Sequence, residues 1–330
     1  MIIKDDKEIL FSELLSQVPD NRKFIKNSSE TVSYGDLKSF IKLFRKDHLF
    51  LEGLNCAISS NSAFYLCLYL PAISDISNNI YLEPKSIDDS TKRDFYEKSN
   101  INIRIEINGK KIFFEKISNK VSKPLSKNKW FLSTSGTSGK PKILEYDFSS
   151  LIKTSKGKLA NGEKYIWGMS YDLNRFAGLQ VYLQAIYVGS SIVIPDENML
   201  IDEIVTLFQK TNVSCLSGTP SYWRKLLMVK NASKINLSQI TLGGEIADQS
   251  ILDALKLKYK DANIVHIYAS TEAGVGFSVR DGFSGFPKSF LKNDEKKSLQ
   301  LKIKKGLLWI KSDRGSNYSN NNGLDFDSAG

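Results

Sequence analysis

Short apolar runs alternate with amphipathic stripes along this chain. After the extended Thr31-Val32-Ser33-Tyr34, residues Leu37, Phe40, Ile41 and Phe44 recur at i, i+3, i+4 and i+7. That spacing is one face of a helix, and Asp36 stands where the helix would open. Asn55-Cys56-Ala57-Ile58 predicts a strand. Residues 84–100 are charged and polar, and the alternation Ile101-Asn102-Ile103-Arg104-Ile105 then passes through Asn108-Gly109 into Lys111-Ile112-Phe113-Phe114. This is a hairpin pattern, and it predicts the edge of a first unit. Residues 121–129, with Pro124, predict a loop before a short buried strand at Trp130-Phe131-Leu132.

Between Ile192 and Tyr268 the order changes to strand-like runs separated by helical stripes. The runs are Ser191–Ile194, Val213–Leu216, Ile240–Leu242 and Ile264–Ile267. The stripes are Ile201, Ile204, Val205 and Phe208, then Tyr222 to Met228, then Ile251, Leu252 and Leu255. A βαβαβ order of this kind predicts a largely parallel sheet with helices on both faces. Leu299-Gln300-Leu301-Lys302-Ile303 alternates again and returns through Leu307-Leu308-Trp309-Ile310, a small antiparallel unit. Gly315 to Gly330 reads as a solvated loop or a fraying end.

Composition narrows the class. At 330 residues, with 41% hydrophobic and 25% charged positions, the chain has the balance of a globular protein of two or three packed units. The longest apolar stretch, Ala63 to Ala72, contains Pro71 and falls short of the roughly 20 residues of a membrane span. Three cysteines without CxxC spacing and two histidines, His48 and His266, build neither a disulfide framework nor a tetrahedral zinc site. With an N-terminus that turns acidic before any apolar segment, the expected compartment is the cytoplasm. A formal charge of +10 suits nucleic acid, a membrane surface or an anionic small molecule. The lysines are spread, no RNA-recognition or zinc-finger pattern accompanies them, and no nucleic-acid partner is expected.

The segment richest in candidate chemistry is Ser133-Thr134-Ser135-Gly136-Thr137-Ser138-Gly139-Lys140-Pro141-Lys142, directly after a strand. Glycines let successive backbone N–H groups point at one anion, hydroxyls add donors that rotate, and lysines bring compact positive charge. The composition suits a polyphosphate, with a flexible Ser/Gly turn as the alternative. Pro141 follows Lys140 where a Walker loop has Ser or Thr, so the loop is expected to bridge two strands, the second being Lys142-Ile143-Leu144-Glu145-Tyr146. A second segment, Tyr268-Ala269-Ser270-Thr271-Glu272, follows the last predicted parallel strand, where open α/β sheets place ligands.

Taken in order and at this spacing, STSGTSGKPK, Leu242-Gly243-Gly244-Glu245 and Tyr268-Ala269-Ser270-Thr271-Glu272 resemble the large domain of the adenylate-forming superfamily. That superfamily holds the acyl- and aryl-CoA synthetases, the adenylation domains of nonribosomal peptide synthetases, and luciferase. Thr31 to Leu37 is similar to its early "TYxEL" segment and Ser217-Gly218-Thr219-Pro220 to its "GVPT" turn. The resemblance implies an α/β fold of two parallel-sheet αβ subdomains plus a small antiparallel, β-barrel-like subdomain. The expected boundaries are 1–120, 121–275 (the AMP-binding core) and 276–330.

It also implies an activity: a ligase that activates a carboxylic acid with ATP and Mg²⁺ to an acyl-adenylate, then passes the acyl group to a thiol of CoA or of a carrier protein, or to an amine. Thr134, Ser135, Thr137, Ser138 and Lys142 would hold the β- and γ-phosphates within a loop that includes Gly136, Gly139 and Lys140. Thr271 would contact the α-phosphate, Glu272 would bind Mg²⁺, and Tyr268 would stack on adenine beside Ala269 and Ser270. Gly243, Gly244 and Glu245 would line the pocket. For the acid itself the candidates are Tyr171, Asp172, Arg175 and Gly218. Tyr171-Asp172 resembles the "FD" pair of amino-acid-activating members, while Asp172 is also a natural helix cap and Arg175 a natural solvated cation.

Two departures stand out. Ala269 replaces the family's glycine. By the resemblance, residues 322–330 are similar to the "GWF"-like lead-in to the family's "TGD" aspartate, and the sequence is expected to end near the hinge that precedes the smaller lid with the family's catalytic lysine, whether through truncation, a lid supplied elsewhere or loss of full catalysis. A nucleotide-binding module without catalysis is the alternative function. His266 is expected to be a satisfied core residue and His48 a helix-end residue, neither with a chemical role.

Overall fold

The computed structural model describes residues 9–119, 129–134, 141–271, 274–291, 299–305 and 307–312. By its contacts the chain divides into two compact units, Met1–Lys164 with Asp172–Glu197, and Tyr165–Tyr171 with Asn198–Gly330.

The first unit opens with a short helix, α1 (Phe11–Leu15), two strands, β1 (Lys23–Lys26) and β2 (Thr31–Ser33), and the predicted amphipathic helix α2 (Tyr34–Asp47). That helix begins earlier than the stripe suggested. Ser33 is its N-cap and Asp36 its third residue, joined in a reciprocal capping box, so Tyr34 is helical rather than extended. His48 sits at the C-cap with Nδ1 2.9 Å from the Phe44 carbonyl. There follow β3 (Asn55–Ser60), α3 (Ala63–Ser74), β4 (Asn79–Leu82), α4 (Asp89–Lys98), β5 (Ile103–Asn108), β6 (Lys111–Lys116), β7 (Lys129–Ser133), β8 (Ile143–Asp147) and α5 (Phe148–Ile152). Helix α4 lies in the polar stretch that gave no helical signal. Only Phe95 and Tyr96 of it are buried, and Asp88 caps it by accepting from Thr91 N–H. The chain contributes β9 (Ile166–Gly168) to the second unit and returns with α6 (Phe176–Val188) and β10 (Ser191–Val193).

Six strands of the first unit form a sheet in the order β6-β5-β3-β4-β7-β8. The inner pairs β5·β3, β3·β4 and β4·β7 are parallel, and the two outer pairs are antiparallel. β6 is therefore an edge, as its hairpin pattern predicted. β1 pairs in parallel with β10 and antiparallel with β2. Trp130, Phe148 and Phe11 pack face to tilted face at 4.9–6.2 Å, and Phe24, Tyr34 and Tyr182 extend that core. Helix α1 is too short to hold itself. Its free N–H groups at Phe11 and Ser12 donate to the buried carboxylate of Asp75, at 2.7 and 2.8 Å.

The two ends of the six-stranded sheet are pinned by different chemistry. At the amino ends, Asn55 N–H donates to Asn102 Oδ1 (2.9 Å), Asn55 Nδ2 donates to the Asn100 carbonyl (2.8 Å), and Asn78 Nδ2 donates to Asn55 Oδ1 (3.1 Å). At the carboxyl end of β4, Glu83 is 4% exposed and takes Tyr96 Oη at 2.5 Å, Lys92 Nζ at 3.1 Å and Arg104 Nε at 3.4 Å. Its own carbonyl accepts from Asn174 Nδ2. A buried carboxylate is tolerated only with such partners.

In the second unit the helices and strands follow the predicted alternation: α7 (Ile201–Lys210), β11 (Cys215–Gly218), α8 (Pro220–Met228), β12 (Gln239–Gly243), α9 (Gln249–Lys258), β13 (Asn263–Ser270) and β14 (Gly274–Val279). Their sheet runs β14-β13-β12-β11-β9, parallel except for β13·β14. β14 was not expected, and it lengthens β13 so that Tyr268, Ala269 and Ser270 lie inside the strand rather than after it. The predicted hairpin is present as β15 (Leu299–Lys304) with β16 (Leu307–Ser312). Residues of the predicted loop at 121–128, and of the tail beyond Ser312, lie outside the described residues. Among the described residues no helix is long and apolar enough to cross a membrane.

Glu83→Ala is expected to destabilise the fold by about 3 kcal/mol, because it leaves the buried Tyr96 hydroxyl without its acceptor and Lys92 without its carboxylate, while Arg104 keeps Glu106 at 2.8 Å. Urea unfolding of the variant against the parent protein measures the loss.

Candidate functional site

In the first unit, the hydroxyl- and glycine-rich segment hangs from the antiparallel pair β7·β8. Ser133 opposes Ile143, and the ladder takes one further step: Thr134 N–H donates to the Lys142 carbonyl at 2.8 Å, and Lys142 N–H donates to Thr134 Oγ1 at 3.3 Å. The loop thus bridges two strands, as Pro141 implied. Thr134 is buried at the mouth, with its hydroxyl oxygen partly used to close it, and the Lys142 side chain is exposed. Ser135, Gly136, Thr137, Ser138, Gly139 and Lys140 lie outside the described residues.

The turn before α6 is tied to the same end of the sheet. Arg175 donates through a guanidinium nitrogen to the Ser133 carbonyl at 3.1 Å, and Asn174 donates to the Glu83 carbonyl. Arg175 is consequently half-buried and bonded, not solvated. It is also the N-cap residue of α6, and its side chain makes no capping bond. Asp172, expected as a cap, lies three residues too early. Its exposed side chain caps nothing, and the turn uses its carbonyl instead, which accepts Arg175 N–H at 3.1 Å. This turn folds back on Gly178, where a Cβ would stand 2.2 Å from the Asp172 oxygen, so only glycine allows the approach. Sequence reasoning passed over Gly178, because a glycine in a helical stripe carries no signal of what crosses it.

In the second unit, β12 ends at Gly243, followed by Gly244 at φ +84°, a backbone that favours glycine. Gly243 is under no such demand: a Cβ there would make only ordinary contacts at 3.9–4.0 Å, with Ile267 and Tyr171 Oη. Tyr171 Oη donates to the Gly243 carbonyl at 3.3 Å, and burial pushes its pKa up to about 12, so the phenol stays a neutral donor. Gly218 has a packing reason, since a Cβ would lie 2.7 Å from the Tyr222 ring.

Helix α8 starts with two caps. Thr219 Oγ1 accepts Tyr222 N–H at 3.1 Å, and Glu245 accepts the backbone N–H and the hydroxyl of Ser221 at 3.0 and 2.6 Å. Partial burial opposes the Glu245 charge, but the Ser221 and Thr219 hydrogen bonds and the charge of Arg224 outweigh it and hold the carboxyl below its usual range. Glu245, expected to line a pocket, is exposed and engaged with a helix N-terminus.

Tyr268 is half-buried near the end of β13, stacked on Phe277 at 4.4 Å with Phe286 edge-on at 5.7 Å. Desolvation raises its pKa. The register of β13·β14 shifts between Tyr268 and Ala269, which leaves Ala269 exposed, and Thr271 follows half-buried. Glu272 lies outside the described residues. Beside Tyr268, with ring centroids 5.8 Å apart, is His266, 5% exposed. It was expected to be a satisfied core residue. It is buried, yet its Nε2 has no hydrogen-bond partner among the described residues. Burial lowers its pKa, against the opposing pull of Asp281. A lone histidine in an aliphatic strand was the available signal. Among the described residues no group of three or more His, Cys, Asp or Glu side chains is placed to hold a metal.

The profile of the AMP-binding enzyme family matches residues 86–301, well over half of the chain. The chain belongs to that family. It is 24% identical over 152 residues to the 2-succinylbenzoate–CoA ligase of Listeria innocua, covering 45% of this chain and 32% of that protein. It is 27% identical over 157 residues to the D-alanine–D-alanyl carrier protein ligase of Staphylococcus aureus, covering 43% and 31%. The matched stretch therefore spans about a third of the length of either ligase. O-succinylbenzoate coenzyme A synthetase from Bacillus subtilis, solved in complex with AMP, superposes with a TM-score of 0.71 at 15% identity, over 98% of this chain and 93% of that one. That likeness shows the fold: a mixed α/β architecture with parallel sheets, shared with the adenylate-forming enzymes.

Glu245→Gln is expected to lower stability by about 1 kcal/mol at neutral pH, the usual worth of a charged helix cap at an exposed site. Its contribution is present above the ordinary carboxyl pKa of 4.5 and disappears as pH falls through the lowered folded-state value, so parent and variant should converge in acid. Melting temperatures at neutral and acid pH check this.

For His266 the sign is that of a base whose folded pKa lies below its ordinary 6.5: the unfolded chain takes the proton first, and stability falls as pH drops below that value. His266→Asn should flatten the pH dependence of melting between about pH 7 and 5.

Proposed function

We propose that this chain is the core of a ligase that uses ATP to activate a carboxylic acid. The acid's carboxylate oxygen attacks the α-phosphorus, the bond from that phosphorus to the bridging oxygen breaks, and pyrophosphate leaves with both electrons of that bond. The thiol of CoA or of a carrier protein, or an amine, then gives up its proton and attacks the acyl carbon, the bond from that carbon to the phosphate oxygen breaks, and AMP leaves with the electrons of that bond. The observation that carries the reading is the mouth of the loop at Thr134 and Lys142. Two strands of a rigid sheet present a segment of hydroxyls, glycines and lysines inside the span matched by the AMP-binding family. The two relatives, each named as a ligase, support the same class.

Such a step needs position and charge neutralisation more than covalent chemistry. Thr134 and Lys142 would hold the β- and γ-phosphates with Ser135, Thr137 and Ser138, in a loop whose Gly136 and Gly139 free the backbone N–H groups and whose Lys140 adds charge. Tyr268, already stacked on Phe277, would offer an aromatic surface to adenine, with Ala269 and Ser270 beside it. Gly243, Gly244 and Glu245 would border the nucleotide, and Thr271 would donate to the α-phosphate. Mg²⁺ wants hard oxygen and takes one or two carboxylates alongside substrate phosphates, a donor set that a glutamate at 272 beside a threonine satisfies. Bound there, it would neutralise charge that develops on the leaving pyrophosphate. For the acid, the half-buried Arg175 and Tyr171 are the polar groups proposed to orient it, with Asp172 in the turn before α6 and Gly218 at the end of β11 as the further candidates.

The test is exchange of labelled pyrophosphate into ATP, with Mg²⁺, in the presence of amino acids or of fatty and aryl acids. Exchange is expected with one of the two pools, and Glu272→Ala and Lys142→Ala should each reduce it by about 100-fold or more while the melting temperature holds. Tight ATP binding with no acid-dependent exchange from either pool, in this chain and in any longer form of it, would sink the proposal.

A further inference from the structure

Among the described residues β6 is the open edge of the six-stranded sheet in the first unit, and it carries apolar side chains on both faces. Phe113 is 53% exposed on one face. On the other, Phe114 packs edge-on against Phe50 at 5.1 Å, and Phe50 is itself 53% exposed. Edge strands of monomeric proteins are ordinarily blunted, and a long apolar one is a template for pairing.

The backbone phase of this edge is fixed. The β5–β6 connection is Gly109-Lys110, with Gly109 at φ +58° and Lys110 not in the left-handed region, so Asn108 and Lys111 form the hydrogen-bonded pair that closes a two-residue turn. The Ile117 N–H bond to the Asn102 carbonyl at 2.8 Å continues the same phase. Lys111, Phe113 and Glu115 therefore spend their backbone groups on β5. Ile112, Phe114 and Lys116 turn theirs outward, and among the described residues no strand pairs with them.

A second copy of this strand, antiparallel about a two-fold axis, can pair only in registers that bring outward residues opposite outward residues. Centred on Phe113, Ile112 bonds to Phe114 of the other copy and the reverse, Phe113 opposes Phe113, and Lys111 opposes Glu115 twice. Moving the centre to Ile112 sets Lys111 against Phe113, and moving it to Phe114 sets Glu115 against Phe113 and Lys116 against Ile112. The register centred on Phe113 alone sets apolar against apolar at its centre and Lys111 against Glu115. At each end it also sets Lys110, held by Glu30 at 3.1 Å, opposite Lys116, and Glu115 lies 3.5 Å from Arg104 of its own sheet. We propose that the chain forms a two-fold dimer by joining β6 to β6 in this register, making one continuous sheet across two copies.

Sedimentation equilibrium over about 1–100 µM tests it. The parent protein is expected to dimerise. Lys111→Glu and Glu115→Lys should each weaken association about tenfold or more, since each sets like charges opposite one another at two symmetric positions. The double swap Lys111→Glu/Glu115→Lys should restore it, which no general loss of folding or solubility would do. Phe113→Cys should crosslink into a dimer under mild oxidation by copper phenanthroline, because a non-hydrogen-bonded pair brings its Cα atoms to about 4.5 Å, within disulfide range. The native Cys56, Cys67 and Cys215 are buried and should stay silent. Leu257→Cys, 76% exposed on α9, should not crosslink. A parent protein that is monomeric throughout the range, single charge reversals without effect, a double swap that fails to restore association, or no crosslink at Phe113 would each overturn the proposal.

Discussion

A single buried carboxylate organises the end of the first unit where the chemistry is proposed. Glu83 closes β4 and gathers a tyrosine and a lysine from α4, an arginine from β5 and, through its carbonyl, the turn before α6. An ionised carboxyl out of water is costly unless each lone pair finds a donor, so the four elements are obliged to meet where Glu83 is. The energy of the arrangement lies in that obligation more than in the pairs themselves. Its consequence is positional: with Asn174 held by Glu83 and Arg175 held by Ser133, the head of α6 is locked against the root of the phosphate-loop segment.

The second unit reaches comparable precision by different means. There the ends of parallel strands are set by helix caps and by glycines. Glu245 and Thr219 anchor the start of α8, and Gly218 lets Tyr222 lie on the strand end. Gly244 reverses the chain with a left-handed backbone, and the Tyr171 hydroxyl secures the carbonyl just before it. None of these groups is free to move without unpairing a donor or meeting a clash, which is the rigidity that catalysis by position requires.

Much of this was legible in the residues. Period-two and period-3.6 patterns found the β5–β6 hairpin, α2 and the alternation from β10 to β13, because half-buried strands and amphipathic helices write their solvent boundary into the sequence. The bridge made by the loop between β7 and β8 followed from Pro141 alone. What escaped has an equally plain cause. Helix α4 buries only Phe95 and Tyr96, too few apolar positions for a stripe. β14 was missed because its pairing with β13 is a matter of which chain lies beside it. Asp172 was a sound cap by residue type, yet the turn displaced the start of α6 to Phe176 and used the Asp172 carbonyl instead.

The sequence by itself determined the family, the alternation of strands and helices from β10 to β13, and the segments whose composition suits a polyphosphate. Those properties rest on local periodicity and on residue chemistry, which adjacent positions carry. Only the tertiary structure decided that Glu245 serves a helix N-terminus, that Arg175 is tied to Ser133, that His266 is buried with an unpartnered nitrogen, and that Gly178 exists to let a carbonyl pass. Each depends on a partner between 6 and 42 residues away or on the absence of one among the described residues. Hydrogen bonds and close approaches between distant positions are set by how elements pack, and no single stretch of chain records them.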